Sequence, residues 1–199
     1  MAEWINPAYM NSGTLKELRK QFEKQKPIKS IQLQSFLKED SFLKLLDELR
    51  KARYKQICTP DLFSYHEAEP KGILIDAIML MASQRLQHIL KEITGIRGKT
   101  TLYKPQYFGW KDYTIMNDMQ KLQNGIVFFL DVTPHWEDVG GETVYLTPKQ
   151  EALTIYPTAN TLSIVRTSKK TRMFVKYVNN YAGKNKRYLI GGTILTNRS

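Results

Sequence analysis

The side chains able to do chemistry are few and widely spaced. The chain has three histidines, His66, His88 and His135, and one cysteine, Cys58. A metal centre needs three such ligands to converge, and the sequence shows no such set. His135 and Glu137 have His-x-Glu spacing, but they fall in a turn after the apolar run Ile126–Val132. His66 sits in a polar stretch from Thr59 to Pro70, and His88 lies mid-helix among Leu86, Ile89 and Leu90. A single cysteine excludes an intrachain disulfide and a Cys-based zinc cage; without a placed histidine partner, Cys58 reads as a buried small hydrophobe. No Gly-x-Ser-x-Gly elbow, P-loop, Gly-x-Gly-x-x-Gly or His-Glu-x-x-His occurs. Glu67 and Glu69 read as solvated loop carboxylates, and Met79-Leu80-Met81 as core packing of an apolar helix.

Charge gives the stronger signal. Lys and Arg number 30 against 19 Asp and Glu, a formal net charge of +11. Nine of the basic residues and none of the acidic ones lie between Ala152 and Ser199, so the first 151 residues hold 21 basic against 19 acidic side chains. Phe174, Tyr177, Tyr181 and Tyr188 interleave with these cations, a pattern that suits phosphate contacts and base stacking. Arg166, Lys169, Lys170, Arg172, Lys176, Lys184 and Lys186 are the expected nucleic-acid contacts. The alternative reading of the same run is a solvated outer sheet face. An acidic protein is a second class of partner that such a charge would attract.

The elements that must position these residues fall into two halves. The chain has 199 residues, a length that suits one domain over 1–199. Residues 1–97 read as mainly helical support. Thr14-Leu15-Lys16-Glu17 has the capping-box pattern for a first helix. Ser30–Leu37 reads as a short strand, Asp40–Arg53 as a second helix, Thr59–Pro70 as a loop, and Gly72–Ile93 as one long helix closed by Gly95. Residues 98–199 read as a strand-rich core. Its strands are Thr100–Lys104, Tyr113–Met116, Ile126–Val132, Glu142–Leu146, Ala152–Tyr156, Thr161–Thr167, Met173–Tyr177 and Tyr188–Leu195. Helices followed by many short strands predict an α+β chain whose second half is a sandwich or jelly roll. The longest apolar run, Gly72–Ala82, is too short to span a membrane, and Met1-Ala2-Glu3-Trp4 lacks the pattern of a secretion leader. The expectation is a cytoplasmic protein with no membrane contact.

Four segments in order carry a resemblance: Ile126–Trp136, Gly140–Leu146, Pro157–Val165 and Arg187–Gly192. Their succession resembles the double-stranded β-helix, or jelly roll, of the 2-oxoglutarate- and Fe(II)-dependent oxygenases. Within them it is most similar to the prolyl hydroxylases that act on a ribosomal protein. Lys26-Pro27, Phe36–Asp40 and Asp61–Ser64 extend the likeness into the first half. The resemblance implies a jelly-roll core backed by the N-terminal helices.

Active members hold iron with a His-x-Asp pair and a distal histidine. By the resemblance, the pair falls on Asn117 and Met119, and the distal position on Met173, or on Phe174 if the register slips by one. None is a competent replacement, because an amide oxygen is a weak ligand and a thioether suits Cu(I) rather than Fe(II). Asp118, between the first two, would turn inward only through a bulge or a register shift. The resemblance also places the arginine that pairs with 2-oxoglutarate near Arg187, and an assisting tyrosine position at Asp131. A carboxylate there would repel 2-oxoglutarate and could pair with Arg187 itself; the other reading of Arg187 is a surface residue at a strand start. The expected function is a non-catalytic oxygenase-fold binding module that takes neither iron nor 2-oxoglutarate and meets RNA or the ribosome. The alternatives are a prolyl hydroxylase-type oxygenase with atypical ligands and a structural subunit that binds an acidic protein.

Overall fold

The computed structural model describes residues 4–115 and 122–196. Its first half holds α1 (Ser12–Lys24), β1 (Ser30–Leu33), α2 (Glu39–Lys51), β2 (Tyr54–Thr59), β3 (Phe63–Ala68), α3 (Ile73–Ala82) and α4 (Gln84–Thr94). β4 (Gly98–Leu102), β5 (Gln106–Phe108), β6 (Tyr113–Thr114), β7 (Gly125–Asp131) and β8 (Thr143–Leu146) follow. The last strands are β9 (Ala152–Ile155), β10 (Thr161–Thr167), β11 (Arg172–Val175) and β12 (Arg187–Thr196).

Local chemistry explains where the elements depart from the sequence expectations. α1 starts at Asn11, whose side chain accepts the N–H groups of Gly13 and Thr14; the Thr14–Glu17 pair therefore lies inside the helix. β1 ends at Leu33, because Ser35 has φ +49° and turns the chain. Beyond that turn Asn160 clasps Leu37, accepting its N–H and donating to its carbonyl, both at 2.8 Å. The expected long helix over 72–93 is two helices bent by 43° at Ser83, whose hydroxyl accepts the Leu86 N–H and starts α4 afresh. The expected loop over 59–70 is instead a hairpin of β2 and β3, turning at Asp61 with φ +63°. β2 is half solvated, so its residues carry no clean alternation of apolar and polar types.

Among the described residues the strands form two antiparallel sheets. The larger runs β1-β10-β7-β12-β5-β3-β2, with β4 also on β12 and β6 on β3; the smaller runs β11-β8-β9. β7 is buried along its whole length, since both faces are covered. Ile126, Phe128 and Leu130 point to the helices and join Leu162, Ile164, Ile190, Leu45, Leu80 and Leu90 in the main core. Val127 and Phe129 point the other way and meet Tyr145 and Ile155 of the small sheet. This alternation sandwiches the large sheet between a helical layer and the small sheet, the arrangement of a helix-backed jelly roll. No single helix among the described residues is long and apolar enough to cross a membrane.

Candidate functional site

The space between the two sheets holds the site. A cavity of about 380 Å³ opens there, walled by Phe108, Phe129 and Leu189 from one sheet and by Tyr145 and Met173 from the other. Tyr65 and Tyr103 contribute to its wall. The Tyr145 hydroxyl is buried without a hydrogen-bond partner among the described residues, and burial pushes its ionisation far above the ordinary tyrosine value. Met173 lines this cavity, whereas Phe174 lines a separate groove with Tyr113 and Tyr177. The register therefore brings Met173, not Phe174, to the interior. Asn117, Asp118 and Met119 lie outside the described residues.

At one end of the interior, the last residue of β7 meets the first of β12. Arg187 is completely buried and its Nε donates to Asp131 Oδ2 at 2.9 Å, Asp131 being almost as covered. Nη1 donates to the Gly141 carbonyl at 2.5 Å and to Thr143 Oγ1 at 2.9 Å. Nη2 has no partner among the described residues, and the guanidinium carbon stands 5.7 Å from the Phe129 ring centre. Asp131 also accepts the Thr133 N–H at 3.1 Å. Burial pushes the Asp131 carboxyl above its ordinary range, against the pull of Arg187 and Thr133.

A glycine turn delivers one of these acceptors. Gly140 and Gly141 have φ +82° and +77°, and a Cβ on Gly140 would stand 2.0 Å from the Tyr177 carbonyl. Trp136 Nε1 donates to the Gly140 carbonyl at 2.6 Å and pins the turn, so that the Gly141 carbonyl faces Arg187.

The three histidines stay apart. His66 places Nδ1 3.1 Å from Asp112 Oδ2 and stacks on Tyr107 with ring centres 4.3 Å apart. Buried Asp112 also accepts from Ser64 Oγ at 2.5 Å and from the Gly109 N–H at 2.8 Å. His88 and His135 are exposed on a helix and a loop. Among the described residues no group of three or more His, Cys, Asp or Glu side chains is placed to hold a metal ion. Cys58, expected to be buried, is exposed, because β2 is an edge strand.

The seven expected nucleic-acid contacts do not share one surface. Lys169 and Lys170 occupy the turn after β10, where the Lys169 N–H donates to Asn124 Oδ1 beside the start of β7. β10 and β11 do not pair across that turn, because β11 pairs with β8 in the other sheet. Lys184 and Lys186 precede β12 at the opposite end of β7, roughly 20 Å away at a strand rise of 3.3 Å per residue. Arg166 stands on β10, close enough to α1 to act on the Glu23 carboxylate. Arg172 lies half-buried on β11, and Lys176 stands 3.9 Å from Glu142.

A family model described as "Oxoglutarate and iron-dependent oxygenase degradation C-term" matches residues 64–197, two-thirds of the chain. The chain belongs to that oxygenase family. It is similar to the prolyl 3-hydroxylase OGFOD1 of Xenopus laevis, with 24% identity covering 89% of this chain and 43% of that protein. The chain thus spans less than half the length of this relative. Among solved structures it matches a Pseudomonas putida prolyl-4-hydroxylase with TM-score 0.66 and 12% identity, covering 89% of this chain and 98% of that one. A Trichoplax adhaerens prolyl hydroxylase, in complex with a hypoxia inducible factor peptide fragment, matches with TM-score 0.64 and 13% identity, covering 94% and 90%. At these identities the structures establish the fold, the double-stranded β-helix core of this oxygenase family.

Family membership implies 2-oxoglutarate and iron, and the described residues at the corresponding positions, Arg187, Asp131 and Met173, are poorly suited to them. Binding the 2-oxoglutarate side carboxylate requires a guanidinium edge that lacks a counter-charge. Asp131 takes the Nε edge of Arg187 and Nη1 is shared between two protein oxygens, so Nη2 alone is left without a partner among the described residues and the charge is already countered. An incoming carboxylate would face a buried like charge at contact distance, which disfavours ionisation of both. The cavity side of β11 offers a Met173 thioether, which is a soft ligand poorly matched to Fe(II).

Proposed function

We propose that this chain is a non-catalytic member of the oxygenase family, a folded module that binds RNA. The observation that supports the loss of chemistry is the buried Arg187–Asp131 pair, which counters from within the charge of the cation an oxygenase of this family would offer to its cosubstrate. The scaffold remains, and fold alone does not fix activity. The net charge of +11 and the run of nine cations without an acid in the last quarter support a polyanionic partner. The likeness to prolyl hydroxylases that act on a ribosomal protein makes ribosomal RNA the first to test.

Binding of labelled RNA, followed by fluorescence anisotropy across a salt series, tests this reading. The affinity is expected to fall steeply as salt rises, because each phosphate contact releases a counterion. Binding that survives nuclease treatment of a pull-down would instead identify an acidic protein as the partner. Turnover of 2-oxoglutarate with stoichiometric metal would overturn the reading in favour of an active hydroxylase.

A further inference from the structure

Three segments distant in sequence converge on a second pocket, of about 240 Å³, outside the jelly-roll interior. Arg50 reaches it from the last turn of α2, His135 from the loop after β7, and Lys184 and Lys186 from the loop before β12. No acidic side chain lines it. Among the described residues, Arg50, Lys184 and Lys186 form no ion pair with a carboxylate. Asp112, near Lys186 across Gly109, is buried and committed to Ser64, His66 and the Gly109 N–H. Three permanent cations around one pocket repel one another, and an anion between them relieves that repulsion.

The pocket is also built rather than only charged. Lys186 Nζ lies 4.2 Å from the ring centre of Tyr107 and 5.8 Å from that of Tyr54, a placement that fixes a flexible ammonium by cation–π attraction. Tyr107 is in turn held between Tyr54, at 4.6 Å edge to face, and the flat-stacked His66. Tyr107 is buried and serves to position the cation, and Tyr188, which lines the pocket, is too covered to offer a face to a base.

We propose that this pocket holds a backbone phosphate of an RNA strand, between Arg50, His135, Lys184 and Lys186. The inference rests on the RNA reading above and relocates its main contact to one end of the fold. Because no open ring faces the ligand, recognition is of phosphate charge and is indifferent to base identity.

The test compares two triple variants of equal charge change, Arg50→Ala/Lys184→Ala/Lys186→Ala and Arg166→Ala/Lys169→Ala/Lys170→Ala, against a short labelled oligouridine and, separately, inorganic pyrophosphate. The pocket variant is expected to bind the oligonucleotide about tenfold or more weakly, with a salt slope shallower by about 0.7, the contribution of one neutralised single-strand phosphate. The second variant should lose much less. Equal losses in the two variants, or a larger loss in the second, would overturn the site while leaving RNA binding intact. A wild-type protein that ignores RNA yet binds pyrophosphate, lost only in the pocket variant, would overturn RNA as the source and leave a phosphate pocket. Indifference to both probes would overturn the pocket itself. Thermal unfolding checks that the triple variants fold; the exposed Lys184→Ala alone, expected to weaken binding about twofold or more, carries the test if they do not.

Discussion

Asp131→Asn keeps the shape of the side chain and removes its charge, leaving Arg187 buried without a counter-ion. Two unit charges about 4 Å apart attract by about 4 kcal/mol at an effective dielectric of 20. Breaking a buried pair by removing one partner typically costs about 3–5 kcal/mol, because the remaining charge stays uncompensated. For a chain of this size each kcal/mol corresponds to roughly 2–4 °C, so thermal unfolding should drop by roughly 6–20 °C. Asp131→Leu/Arg187→Met removes both charges together and should lie within about 2 kcal/mol of the wild type, since no ion is left stranded. Asp131→Ala adds a second readout, because it opens a space the size of a carboxylate beside the guanidinium. Acetate at tenfold its dissociation constant should restore about 1.4 kcal/mol, and chloride at the same ionic strength should not. The measurements are thermal and urea unfolding of the three variants, with and without acetate. An Asp131→Asn protein within about 1 kcal/mol of the wild type, or an Asp131→Ala protein indifferent to acetate, would refute the pairing argument.

Three further outcomes follow from the same geometry. Asn160→Ala removes both bonds to the Leu37 backbone and strands buried polar groups, so urea unfolding should register a loss of about 2–4 kcal/mol; a loss under about 0.5 would show that water replaces the amide. Ser83→Ala deletes the cap that restarts α4 and should cost about 1 kcal/mol by the same assay, whereas no change would mean the helix break is set by tertiary packing alone. Burial raises the Tyr107 phenol from the ordinary 10.0 up to about 12, so the folded state favours the protonated ring. Its contribution to stability is whole below pH 10 and is lost as pH rises towards 12. Tyrosinate absorbance of the wild type minus that of Tyr107→Phe should therefore show a late-titrating group, and a difference spectrum complete by pH 10 would contradict it.

How much of this could be read from the chain depended on where each segment lies. β7, β10 and β12 were legible because strands covered on both faces require nearly continuous apolar runs, and Ile126–Val132 and Thr161–Val165 have them. The β2–β3 hairpin was hidden, because Lys55, Gln56 and Glu67 sit on half-solvated strands that need no alternation. Ser83 was unreadable as a break, since apolar residues continue on both sides of it and only the cap geometry ends α3. Met173 and Arg187 stood out only against the family pattern, and the contact of Arg187 with Asp131 depends on the pairing of β12 with β7. Closeness in sequence does not bring the seven cations to one face. The turn at Lys169 and the loop at Lys184 lie at opposite ends of the same strands, and the partners that complete the second pocket, Arg50 and His135, come from other elements.

In the reading proposed above, Asp131 closes the cosubstrate site of this oxygenase scaffold from inside. Calorimetric titration of the full chain with 2-oxoglutarate, in the presence of Mn(II) as an air-stable substitute for Fe(II), tests it most directly. No binding heat is expected for either component, alone or together. One-to-one binding that requires both, with a low-micromolar dissociation constant, would contradict it and show that Arg187 exchanges Asp131 for the cosubstrate.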